Sequence, residues 1–221
     1  MQHHAFARPG RFFRGNLHTH STVSDGALEA AEALARRCAE VGAFVALAHP
    51  ESNGLTPEDG RLIAAAYAVE IYNHGCHVEC DRGFGIAPYD TLLAEGWRLT
   101  DCATDDAHFH GPDHFGGWVM VKAEANAPEP LLAALKAGAY YASTGPELRD
   151  FRIDGDSLVI ECSPAEHVIA LDANAASQAA HGTGLTRAEL PLNRFHAGGW
   201  VRAAVQDAAG KRAWSNPIWL E

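Results

Sequence analysis

Apolar residues recur at helical spacing from about Leu28 to Glu40, where LEAAEALARRCAE sets Leu34, Ala35 and Cys38 on one face and charges on the other. Gly42 marks the expected stop. The apolar run AFVALAHP then predicts a buried strand that delivers His49 at its C-terminal end. The device repeats three times. A short helical piece leads into the strand AVEIYN, which ends near Asn73 and His74; TLLAEGWRLTDCATDDAHFH pairs a helix with a strand; and WVMVKA, EPLLAALKAGAY and YYASTGP complete the alternation. Strands alternating with helices predict an α/β fold with a parallel sheet or barrel, its chemistry at the C-terminal ends of the strands. After about Pro146 the texture changes to short alternating segments with Asp-Gly and Ala-Gly turns, the pattern of a small antiparallel β unit. The expected division is an α/β domain over 1–148 and a small β-sandwich-like appendage over 149–221.

Composition narrows the function. The 221 residues carry a formal net charge of -11, which repels a nucleic-acid backbone, and no Lys/Arg cluster offsets it. No apolar run approaches the roughly 18 residues of a membrane span. The opening MQHHAFARPGRFFRGN has no apolar stretch after its basic residues, so no secretory signal is expected. Five cysteines without paired spacing fit a reducing compartment. The expected location is therefore the cytoplasm, with no nucleic-acid or membrane partner.

The unusual residue is histidine, thirteen in all and bunched before residue 115. In GNLHTHSTVSDG, His18 and His20 are two apart, so on a strand both point to one side. Two imidazoles so placed suit one divalent metal, although an isolated His-x-His is more often a solvated pair. Company changes the balance. Asp106 and His108 repeat the spacing at another strand end, His49 adds an imidazole, and Asp25 in its Ser-Asp-Gly turn adds an oxygen. A carboxylate and imidazoles converging from several strand ends make a site for Zn, Mn or Fe. Glu70 is either a further ligand or the carboxylate that holds one in place, and Asp105 is read in the second way. The segment NHGCHVEC reads as a loop lining the mouth of the site. Arg14, Arg82, His74 and His110 are candidate substrate contacts, with His114 in the same Gly-rich loop as His110. His167, His181 and His196 fall in the β tail, away from these motifs. STGP at 143–146 lacks the base and elbow of a serine nucleophile, and neither GFG nor FGG forms a phosphate-cradling loop.

Together GNLHTHSTVSDG, ALAHPE, VEIYNHG and TDDAHF resemble the PHP (polymerase and histidinol phosphatase) superfamily of metal-dependent hydrolases. GLTPEDG, YYASTGP and WSNPIW are most similar to its carbaryl hydrolase-like and phosphoesterase branch. The resemblance implies a distorted β/α barrel holding one to three divalent ions. By it, His18, His20 and Asp106 belong to one metal, His49 to a second, and Asp25 with His108 to a third, with catalysis resting on His18, His20, Asp106 and His108. Water activated by metal would attack the ester of a small molecule, a phosphoester first and a carboxyl or carbamate ester as the alternative.

The chain departs from this pattern after Gly26. Family members place a Thr-Asp-His strand end, a metal-bridging glutamate and a Gly-His turn before the Ala-His-Pro strand, and none is here. At least two βα elements and three ligands go with them. The expected fold is thus a shortened, distorted β/α barrel of the PHP type with the C-terminal β unit attached. Its open edge would be covered by a homodimer. Glu70, Glu51 or His74 would replace the bridging ligand, and a metal-binding module without turnover is the rival outcome.

Overall fold

The structure, a computed structural model, describes residues 1–15, 17–18, 31–173, 176–195 and 199–220. The candidates His20 and Asp25 lie outside the described residues, as does His196. The chain divides into two compact units, one of residues 1–14 with 120–221 and one of residues 15–119.

The unit of residues 15–119 is built on three parallel strands, β2 (Ala46–Leu47), β3 (Ala68–Asn73) and β4 (Thr100–Thr104), in the order β2-β3-β4. The central strand β3 is buried along its whole length, as AVEIYN predicts for a strand covered on both faces. Helix α2 (Ala31–Glu40) precedes β2 and stops before Gly42, whose φ of 84° suits only glycine well. Helix α3 (Pro57–Leu62) begins at Thr56, where the Thr56 and Asp59 side chains cap each other's backbone N–H in a capping box. Helix α5 (Ile86–Ala94) buries Tyr89, Leu92 and Leu93. The expected NHGCHVEC loop is instead helix α4 (His74–Cys80), because the Asn73 side chain accepts the Cys76 N–H at 2.8 Å and so supplies an N-cap. Because the three strands are parallel, the C-terminal ends of β2, β3 and β4 come to the same edge, with one register shift between β3 and β4 at Glu70/Tyr72.

The other unit is a nine-stranded sheet. It contains β1 (Arg11–Gly15), β5 (Trp118–Ala123), β6 (Tyr140–Ser143), β7 (Leu148–Asp154), β8 (Ser157–Leu171), β9 (Ser177–Pro191), β10 (Trp200–Gln206), β11 (Arg212–Ser215) and β12 (Ile218–Trp219). The order is β1-β5-β6-β11-β10-β8-β7, with β12 on β10 and β9 on β8. Every pair from β6 onward is antiparallel. Its core joins Leu148, Phe151, Ile160, Val168, Val201 and Val205, with Tyr141 and Ile218. Helices α1 (His4–Ala7) and α6 (Pro128–Lys136) complete the unit.

This corrects the expected fold. Among the described residues no strands close into a β/α barrel, and the sheet is mostly antiparallel. The strands WVMVKA and YYASTGP join the antiparallel sheet rather than extending β2-β3-β4. β5 alternates between buried and half-buried positions, the signature of a strand with one face on a core, whereas β3 is buried throughout. The antiparallel unit read at the C-terminus is accordingly part of a larger sheet.

Candidate metal centre

Three donors converge at the C-terminal edge of β2-β3-β4. His18, His49 and Asp106 each offer one ligand atom, and these atoms lie within 4.8 Å of one another. Asp106 Oδ1 is 3.0 Å from His18 Nε2, and Asp106 Oδ2 is 3.9 Å from His49 Nε2. The two imidazole centroids are 5.3 Å apart. His18 lies outside any strand and is fixed by its carbonyl, which accepts the Asp106 N–H at 3.1 Å. His49 and Asp106 leave their strands with positive φ of 31° and 55°, a backbone that turns their side chains off the strand direction.

Glu70 holds the arrangement from behind. It is 2% exposed, so its charge must be answered by the protein. Oε1 faces His18 Nδ1 at 2.9 Å and accepts from the Thr104 hydroxyl; Oε2 accepts the His49 N–H at 2.5 Å and Asn73 Nδ2 at 2.9 Å. One carboxylate thereby fixes an imidazole and the backbone of the other histidine. Asn73 Nδ2 also donates to Asp106 Oδ2 at 3.0 Å. Asn73 and Thr104 escaped the sequence reading, since neither is a metal ligand. Their signal was position, each at the end of a strand that carries a candidate.

The charges follow from this geometry. Burial opposes a charged His18, but the hydrogen bonds of Asp106 and Glu70 overcome it and His18 is pushed up to about 10. Burial alone would raise Asp106 and Glu70; hydrogen bonds from His18 and Asn73, with Thr104 on Glu70, hold both below their ordinary values. Without metal, His18 is an imidazolium between two carboxylates. The Cys76 thiol donates toward Asp106 Oδ2 at 3.9 Å, and burial pushes it up to about 11.

The donor chemistry fits a divalent transition metal. Two imidazoles and a carboxylate are a borderline set, and Glu70 on His18 Nδ1 is the carboxylate-histidine arrangement that turns Nε2 toward the other two donors. Half-open histidines keep the site within reach of solvent, His18 being 20% and His49 23% exposed. Beside it, Phe44, Ala46, Ala48 and Cys102 line a cavity of about 220 Å³ with His18 and Glu70 at its wall.

The other candidates are placed elsewhere or differently. His108 is not among the three converging donors; its Nδ1 faces the Asp106 carbonyl at 2.8 Å, and its N–H donates to Asp113. Asp105 anchors the loop after β4, accepting N–H groups of Phe115, Gly116 and Gly117 at 2.7–2.8 Å. His74 is 3.0 Å from the Tyr72 hydroxyl and 3.1 Å from the Pro112 carbonyl, so both ring nitrogens are engaged. Glu51 accepts the Phe84 N–H at 2.8 Å. Arg82 and His110 are exposed in this unit, and Arg14 is exposed on β1.

No family model matches the chain, and no curated protein matches it. Among solved structures it is similar to a two-domain protein from Bacteroides vulgatus, described as containing a predicted PHP-like metal-dependent phosphoesterase, with 13% identity and a TM-score of 0.38. The similarity covers 84% of this chain and 64% of that one, so the chain spans less than two thirds of the length of the protein it matches.

Proposed function

We propose that the protein is a metal-dependent hydrolase that cleaves a phosphoester of a small molecule. The observation that carries this is the convergence of His18, His49 and Asp106 within 4.8 Å, with Glu70 fixing two of them. The motif resemblance in the sequence adds the reaction class. A divalent cation in such a site supplies Lewis acidity and lowers the pKa of a water to near neutrality. His18, His49 and Asp106 would hold it.

The chain's own residues do the rest. Glu70 keeps a proton on His18 Nδ1 and thereby directs the lone pair of Nε2 toward the site. Asn73 donates to Asp106 Oδ2 and restricts how that carboxylate rotates. The cavity beside His18, with Phe44, Ala46 and Ala48 on its apolar side and Glu70 and Thr104 on its polar side, would receive the substrate group.

The test is elemental analysis of the purified protein, then assays of 4-nitrophenyl phosphate, a 4-nitrophenyl phosphodiester and 4-nitrophenyl acetate with added Mn²⁺ or Zn²⁺. Phosphoester turnover that disappears in His49→Ala and Asp106→Ala is expected. Turnover of the acetate alone moves the substrate to carboxyl esters. Bound metal with no turnover of any ester overturns the enzyme and leaves a metal-binding module.

A further inference from the structure

The two histidines of the β tail that no motif absorbed meet across the β8-β9 hairpin. His167 pairs with His181 in register, and their Nδ1 atoms are 2.9 Å apart with ring centroids 5.0 Å apart. Two irregularities lie between the flanking pair Glu161↔Arg187 and this one, and they cancel. Between the pairs Glu161↔Arg187 and Ala165↔Leu185 the extra residues are on β8, around Pro164; between Ala165↔Leu185 and His167↔His181 they are on β9, in Gly182, Thr183 and Gly184. Gly184 has a φ of 69° that gives this second bulge its turn. Bulges of this kind re-aim side chains. Because the two irregularities cancel, the imidazoles stay directly opposite one another, as in the ladder on either side.

We propose that His167 and His181 form a second transition-metal site, selective for Cu(II) or Ni(II), independent of the centre at His18. Metal–imidazole bonds are about 2.0–2.1 Å, so nitrogens 2.9 Å apart subtend about 90° at a shared ion. That is the angle between neighbouring ligands in a square-planar or octahedral complex, the geometry of Cu(II) and Ni(II). Tetrahedral zinc would call for a separation of about 3.3 Å. An ion bound to both lies off the line between the two nitrogens, so each ring turns to aim its Nδ1 lone pair at the ion. His181 is exposed and His167 half-buried, which leaves the remaining coordination positions to water. Gln206 pairs with His167 on its other side, so a side-chain amide sits in the same cross-strand row. The ion would clip β9 to β8; among the described residues β9 pairs with β8 alone.

The experiment uses the full chain carrying His18→Ala and His49→Ala, which removes the first centre. It is titrated with Ni(II) by calorimetry and loaded with Cu(II) for electron paramagnetic resonance. One equivalent of Ni(II) and a tetragonal Cu(II) spectrum with hyperfine coupling to two imidazole nitrogens are expected. Adding His181→Ala, or separately His167→Ala, removes both signals while the thermal midpoint without metal stays in place. A nitrogen-coupled Cu(II) spectrum that survives both substitutions overturns the proposal, as does the absence of Ni(II) binding before either is made. Should one variant fail to fold, the other decides.

Discussion

His18 presents one ring nitrogen to Glu70 at 2.9 Å and the other to Asp106 at 3.0 Å. An imidazole held this way is charged while both neighbours are carboxylates, and it becomes a metal ligand only by releasing a proton.

Metal binding is therefore coupled to pH. With His18 pushed up to about 10, an incoming ion displaces one proton across the neutral range, and apparent affinity rises with pH until that value is reached. Calorimetric titrations at neutral pH in buffers of different ionisation enthalpy should return about one proton released per ion. Release of none would show that His18 stays outside the coordination sphere.

In the metal-free protein the same triad shapes stability. The folded value of His18 lies above its ordinary 6.5, so its contribution is complete below pH 6.5 and is lost as pH rises toward about 10. Asp106 and Glu70 are held below their ordinary 3.8 and 4.5, so theirs are present above those values and lost as pH falls. The triad should stabilise most between about pH 4.5 and 6.5. Thermal melts of metal-free wild type and His18→Ala across pH should differ most in that window and converge on both sides.

Glu70→Gln keeps the volume but leaves one carbonyl oxygen where two oxygens now serve His18, His49, Asn73 and Thr104. Loss of such an orienting carboxylate weakens metal binding by about 10- to 100-fold. Competition with a chromophoric chelator measures it, and an unchanged affinity would remove Glu70 from the positioning role.

Asp105 accepts three consecutive backbone N–H groups, those of Phe115, Gly116 and Gly117. Asp105→Ala leaves buried donors unmatched at a cost of about 1–3 kcal/mol for each that finds no water. A lowered denaturant midpoint, together with faster proteolysis between residues 105 and 117, is the expected outcome.

Gly116 packs on His74 so closely that a Cβ would come within 2.1 Å of the ring. Gly116→Ala must displace His74 from Tyr72 and Pro112, and overpacking of this kind costs about 1–3 kcal/mol. Urea unfolding of the variant measures the loss.

Local pattern made part of this protein legible. The continuous burial of AVEIYN follows from residue type alone, and so did the placing of His49 and Asp106 just past strand ends, although the strand before His49 is only Ala46–Leu47 and half-buried, and Glu70 lies in the middle of β3. NHGCHVEC was misread because its helix depends on one cap, Asn73 to Cys76, rather than on apolar spacing.

The amino-acid sequence by itself determined where several strands and helices lie and that His49 and Asp106 follow strand ends, because those depend on the spacing of apolar residues along a few turns of chain. Strand partners were left to the tertiary structure. A backbone N–H bonds equally well to a parallel or an antiparallel neighbour, so the choice falls to long-range burial, which took β5 and β6 into the antiparallel sheet. The meeting of His18 with Glu70, 52 residues away, and of His167 with His181 across the β8-β9 pairing was decided at that same level.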